Sequence, residues 1–126
     1  MARPQSAARN EENLLLYRQY LIDRFDKTCV LTGREDFPWE ERYIFGGGNK
    51  KEYERLKKTK PSYRDQYELI DISEREIAEN DLIADVKRLS DGKHFQIGLS
   101  WLTSKAKKGK DYQLLDDFAT WVANWY

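Results

Sequence analysis

Two groups of acidic residues carry the side chains best suited to chemistry in this sequence, and that chemistry is the binding of a hard cation. Calcium takes six to eight oxygen ligands, and carboxylates on irregular segments supply them together with backbone carbonyls. The EF-hand order of acids and glycine is absent, so such a site would be irregular. The alternative is ordinary solvated surface. The candidate ligands are Glu35, Asp36, Glu40 and Glu41 in the first group and Asp116 and Asp117 in the second.

Residues for covalent or acid–base catalysis are scarce. His94 is the sole histidine and Cys29 the sole cysteine, so neither a multi-histidine zinc site nor a thiolate cluster can form. The triple glycine at residues 46–48 precedes a predicted helix, but the Gly-Lys-Ser/Thr ending of a phosphate-binding loop is missing. Because a nucleophile, a base and an orienting group cannot be assembled, the sequence predicts a protein that is not an enzyme.

Aromatic and basic residues offer two further modes of binding. Trp39, Tyr43 and Tyr63 are candidates for a surface that binds a protein segment, because small barrels present exposed aromatic side chains between their loops. Lysines crowd residues 50–60 and 105–110, and tyrosines interleave with the first run, as in surfaces for single-stranded nucleic acid. In the whole chain, however, twenty-two basic residues balance twenty-two acidic ones, which argues against a dedicated nucleic-acid-binding protein.

Length and composition predict a small cytoplasmic domain. The 126 residues suffice for one domain, residues 10–126, after a polar tail at residues 1–9 that we expect to be disordered. No apolar stretch approaches the ~18 to 20 residues of a membrane span. The N-terminal residues also lack the apolar core of a signal peptide, so the sequence predicts a reducing, cytoplasmic location.

Periodicity and capping signals predict three helices. The first spans residues 10–26, with apolar side chains at helical spacing. The second spans residues 50–58, follows the capping residue Asn49 and ends before Pro61. The third spans residues 111–126 and carries an aromatic stripe. A free helix cannot hide such a stripe, so we expect the third helix to pack against the strands.

Short β-type runs separate these helices. The Asp91–Gly92 step between two of them is a strong hairpin signal, whereas residues 73–80 suggest a polar link. The strand candidates are residues 28–32, 43–45, 66–72, 82–89 and 94–102. Together they predict an α+β fold: a small, strongly bent antiparallel β-barrel of SH3-like type, flanked by an N-terminal helix, a short middle helix and a C-terminal helix. A ferredoxin-like sandwich is the alternative.

A further pattern is the order of core residues from about Leu16 to the C-terminus. It includes Cys29-Val30 after the first helix, Phe95-Gln96-Ile97 running to Trp101-Leu102, and Asp117 in the closing helix. This order resembles the CcbP-like calcium-binding proteins, a family of small bacterial proteins. The resemblance implies a barrel-like fold and non-enzymatic binding of intracellular calcium by surface carboxylates, as a buffer or regulator. Members of that family are acidic, whereas this chain is neutral.

Overall fold

The helical and alternating patterns of the sequence produce four α-helices and five β-strands in the part that the computed structural model describes, residues 11–26, 28–78 and 81–124. Side chains are described there except at residues 11 and 74–78. The helices are α1 (Glu11–Arg24), α2 (Glu41–Ile44), α3 (Lys50–Leu56) and α4 (Lys110–Asn124). The strands are β1 (Val30–Gly33), β2 (Gln66–Ala78), β3 (Asp81–Arg88), β4 (His94–Gly98) and β5 (Leu102–Ser104). The predicted α+β class is confirmed.

The strands form one antiparallel sheet in the order β4-β3-β2-β1-β5. Leu31 of β1 pairs with Tyr67 of β2 on one side and with Ser104 of β5 on the other. Register shifts interrupt the pairing of β2 with β3, and such irregularities bend a strand. No ladder joins β4 to β5 within the described residues. The sheet is therefore antiparallel, as predicted, but it is not closed, so the predicted strongly bent barrel is not confirmed.

Two strands and one link are assigned wrongly from the sequence. Tyr43 and Ile44 lie in α2, where the amide of Phe45 donates to the carbonyl of Glu41 in a helical bond of 3.0 Å. Residues 73–78 of the predicted polar link at 73–80 continue β2, and Ile77 and Ala78 pair with β3. The predicted strand at 94–102 breaks at the 3-10 helix Leu99–Trp101, in which the hydroxyl of Ser100 donates to the carboxylate of Asp81 at 2.6 Å.

The C-terminal helix α4 packs against its own sheet, as predicted. Its buried residues are Leu114, Leu115, Phe118 and Trp121. The ring of Tyr17 in α1 lies 5.0 Å from that of Phe118 and 5.1 Å from that of Trp121, measured between centroids. Both helices therefore share one aromatic contact in the core. The predicted tail at 1–9, the capping Asn10 and residues 125–126 of the predicted last helix lie outside the described residues.

Local signals set the ends of the other elements. The side chain of Asn49 accepts hydrogen bonds from the amides of Lys51 and Glu52, which confirms it as the cap of α3. The predicted hairpin joins β3 to β4, and Gly92 takes the positive φ of 75° that its turn requires. Among the described helices, none is both long and apolar enough to cross a membrane.

Candidate functional site

The connection between β1 and β2, residues 34–65, holds most of the residues that the sequence nominates for binding. It contains the 3-10 helix Pro38–Glu40, α2 and α3. Its two ends are fixed to the sheet region: the amide of Gly33 donates to the carbonyl of Tyr63 at 2.9 Å, and the amide of Arg34 donates to that of Trp101 at 2.8 Å. A Cβ atom at Gly33 would overlap Tyr63. Only glycine therefore permits this closure of the connection.

A buried carboxylate holds the connection together. Glu40 has no exposed surface. Its Oε2 accepts from the hydroxyls of Ser62 and Tyr53, both at 2.7 Å, and its Oε1 accepts from the amides of Tyr63 at 2.8 Å and Phe37 at 3.4 Å. Four donors compensate the burial of this charge. The expectation that Glu40 belongs to a group of surface carboxylates is therefore wrong, and its role is to anchor the connection.

Three aromatic rings pack beside this carboxylate. Tyr43 and Tyr53 stack with centroids 5.2 Å apart and planes 12° apart, and Trp39 lies 5.7 Å from Tyr53 and 6.2 Å from Tyr43. The indole N–H of Trp39 donates to the carbonyl of Pro61 at 2.7 Å. The structure thus brings together two of the three predicted aromatic residues and adds Tyr53. Tyr63 contributes its backbone to the connection instead of its ring to the cluster.

The tyrosine hydroxyls of the cluster are held in their neutral form. Burial, followed by the hydrogen bond to Glu40, raises the pKa of Tyr53 to about 12. Burial and a hydrogen bond to Glu52 likewise raise the pKa of Tyr43, while the nearby charges of Arg42 and Arg55 act to lower it. Both hydroxyls therefore remain donors at neutral pH.

Phe45 caps the C-terminal end of α2, two residues after Tyr43. Its side chain is 78% exposed, the highest value among the large apolar side chains that the structure describes. The guanidinium of Arg42 lies 5.3 Å from the ring centroid of Tyr43, and Gly48 packs so closely on that ring that a Cβ atom would overlap it. We call this region the Phe45 surface. Its residues are Arg42, Tyr43, Phe45, Gly48 and Arg55.

Comparison with known proteins identifies no relative. No protein-family model matches the chain, and neither curated proteins nor solved structures give a significant match. The resemblance to the CcbP-like family stays a prediction. What the Phe45 surface binds must therefore be inferred from its geometry and charge.

A second buried anchor fixes the far end of the connection. Arg88 at the end of β3 is only 3% exposed, and sequence reasoning missed it because all of its acceptors except Asp91 lie 23 to 31 residues away. The acceptors of its guanidinium are the carboxylates of Asp65 and Asp91 and the backbone carbonyls of Lys57, Lys58 and Lys60. Arg88 thus binds the segment after α3, the end of the connection and the turn after β3. The hydrogen bonds from Arg88 hold the pKa of Asp91 at about 2.

The remaining predicted cation ligands do not converge. Glu35 and Glu41 are exposed and Asp36 is half-buried. On α4, Asp116 accepts a hydrogen bond from Nη1 of Arg34 at 3.0 Å, and Asp117 accepts one from the side-chain amide of Gln113 at 2.9 Å. Among the side chains that the structure describes, no group of three acidic, histidine or cysteine residues could hold a metal ion. That any of these acids binds a cation stays a prediction.

The two candidate catalytic residues lie far apart. His94 is exposed on β4, and Cys29 immediately precedes β1, three positions across the sheet or roughly 14 Å away. The thiol of Cys29 lies 3.2 Å from the hydroxyl of Ser104. Burial raises the pKa of this thiol, which lowers the fraction present as reactive thiolate.

Proposed function

We propose that this protein is a non-enzymatic binding module whose Phe45 surface binds a segment of a partner protein. The observation that carries the proposal is the exposure of Phe45 on a connection fixed by the buried side chains of Glu40 and Arg88. Burial of a phenyl ring is worth about 1.5–3 kcal/mol. Because the anchored connection leaves the ring of Phe45 in water, the free energy of burying that ring is gained only when a partner covers it.

The surroundings of Phe45 have the composition of a binding site. Aromatic residues and arginine dominate the energetics of protein–protein contacts. Arg42 and Tyr43 precede Phe45 by three and two residues, and the charges of Arg42 and Arg55 act on the hydroxyl of Tyr43. Because the backbone of the connection is already ordered before binding, less conformational entropy is lost when a partner binds.

The proposal extends to fold and location. The strand order, the bent β2 and the 3-10 link before β5 support placing this open sheet in the SH3-like class. Cys29 is an unpaired thiol, which suits a reducing cytoplasm. The distance between His94 and Cys29 supports a function without catalysis.

Selection of peptides from a displayed random library tests the binding function. We expect clones that bind the wild-type protein and lose binding to Phe45→Ser, since serine removes the exposed ring without touching the core. Leu89→Ser is the matched control, because Leu89 is also exposed, at 47%, but lies outside the Phe45 surface. A selection in which no clone distinguishes Phe45→Ser from the wild type contradicts the proposal.

Calcium binding is a second proposal, and it rests on the family resemblance together with two exposed carboxylates, Glu35 and Glu41, that flank the anchored 3-10 helix. If the proposal is right, titration calorimetry gives heat with calcium chloride, and Glu35→Gln with Glu41→Gln abolishes it. Magnesium chloride is the control for selectivity, because magnesium demands stricter octahedral geometry. Absence of heat at millimolar calcium rejects this proposal and leaves the peptide-binding function intact.

A further inference from the structure

We infer that the segment bound by the Phe45 surface is acidic, an inference that rests on the proposed function and deepens it. Residues 42–64 contain eight basic and two acidic residues, although the whole chain is neutral. Phe45, the most exposed apolar ring of the described residues, therefore lies in a stretch of sequence with an excess of positive charge.

The two acids in this stretch are already engaged. Glu52 accepts a hydrogen bond from the hydroxyl of Tyr43 at 2.9 Å, and Glu54 pairs with Lys57 at 3.0 Å. By contrast, no ion pair within the described part of the chain involves the basic residues nearest Phe45 in sequence or at its surface. These exposed residues are Arg42, Lys50, Lys51 and Arg55.

Carboxylate groups on a bound segment are the natural partners of these basic side chains. An arginine side chain binds a carboxylate through two parallel hydrogen bonds, which fixes the orientation of a ligand as well as attracting it. An extended segment with one apolar side chain on Phe45 and acidic residues on both sides of it complements Arg42, three residues before Phe45, and Lys50 and Lys51, five and six residues after it. Complementary charge of this kind also speeds association.

The aromatic faces favour a polypeptide over single-stranded nucleic acid. Nucleic-acid surfaces of that kind need open ring faces on which successive bases stack. Here Tyr43 and Tyr53 stack on each other, Lys57 lies 4.6 Å from the ring centroid of Tyr53, and Lys60 lies 5.5 Å from that of Trp39. The ring of Phe45 is 78% exposed, and one such open ring suits one apolar side chain.

Fluorescence anisotropy with three labelled probes tests the inference. The probes are a glutamate-rich peptide with one phenylalanine, the same peptide with lysine in place of glutamate, and oligo-dT of matched charge. We expect only the acidic peptide to bind tightly, with an affinity that falls as salt is added. Phe45→Ser should weaken it about tenfold, and Arg42→Gln or Arg55→Gln about threefold each. Lys107→Gln, which removes an exposed charge elsewhere, is the matched control and should leave binding unchanged.

The outcomes separate this inference from the proposed function. If selected peptides depend on Phe45 but are neutral or basic, and the glutamate-rich probe does not bind, the acidic partner is rejected and the binding module stands. If no peptide of any composition depends on Phe45, both are rejected. If oligo-dT binds as tightly as the acidic peptide, the surface recognises nucleic acid and the inference is overturned.

Discussion

Glu40 shows how distant partners decide the chemistry of a residue. In the sequence it belongs to an acidic group, and nothing beside it indicates burial. In the structure its donors include Ser62 and Tyr63, which are 22 and 23 residues away. Sequence reasoning found the segment that matters, together with Trp39 and Tyr43, but it could not tell a surface carboxylate from the anchor of the connection.

The hydroxyl of Tyr53 makes stability depend on pH in the alkaline range. Folded Tyr53 keeps its proton to about pH 12, whereas the unfolded chain releases it near pH 10. Above pH 10 the unfolded state therefore binds fewer protons, and the free energy of unfolding falls as the pH rises toward 12. Urea unfolding at stepped pH should show this fall, and Tyr53→Phe should make it shallower.

The pH effect should be reduced in that variant but not abolished. Burial also raises the pKa of Tyr67, so Tyr67 contributes a fall of the same sign. Identical slopes for Tyr53→Phe and the wild type would show that folding does not raise the pKa of Tyr53.

At the scale of elements, the sequence predicts those helices and turns that nearby residues determine, but not the strands that depend on a distant partner. The Asn49 cap and the Asp91–Gly92 turn act within a few residues, so α3 and the hairpin were predicted correctly. Residues 43–45 have the composition of a strand. Tyr43 and Ile44 nevertheless lie in α2, where the amide of Phe45 donates to the carbonyl of Glu41. β5 forms because its residue Ser104 pairs with Leu31 of β1, and no pattern in the sequence near Ser104 predicts that pairing.

Arg88 binds three segments of the chain. Stability should therefore fall when its guanidinium is replaced by the ammonium of lysine, although the charge stays the same. A lysine offers one compact ammonium and cannot reach carbonyls and two carboxylates at once. We expect Arg88→Lys to lower the free energy of unfolding by about 3 kcal/mol, because buried acceptors lose their donor. Urea unfolding measures the loss, and amide exchange at residues 57–60 should accelerate.

The neighbouring residue supplies the control for this change. Lys87 pairs with Glu68 at 3.5 Å, but both side chains are at least 40% exposed, so Lys87→Gln should cost less than about 1 kcal/mol. Equal losses in the two variants would show that Arg88 acts as an ordinary surface cation.

At the scale of the whole molecule, an open sheet is stabilised by the helices that cover it. α1 and α4 meet through Tyr17, which contacts both Phe118 and Trp121. The same buried cluster includes sheet residues such as Leu31 and Val86. The two helices and the sheet therefore share one core, and we expect them to unfold together as a single cooperative unit.

Trp121 is the side chain that tests this unity. It is 1% exposed, and replacing a buried tryptophan with alanine costs about 3–5 kcal/mol, a large part of the roughly 5–15 kcal/mol that stabilises a typical domain. We expect Trp121→Ala to lower the midpoint of one thermal transition seen both by far-ultraviolet circular dichroism and by tyrosine absorbance. The exposed neighbour Thr120→Ala should leave that midpoint nearly unchanged. If helix signal is lost in Trp121→Ala while the sheet still unfolds at the wild-type temperature, α4 is an independent appendage. That outcome would contradict the conclusion that the two helices and the sheet share one core.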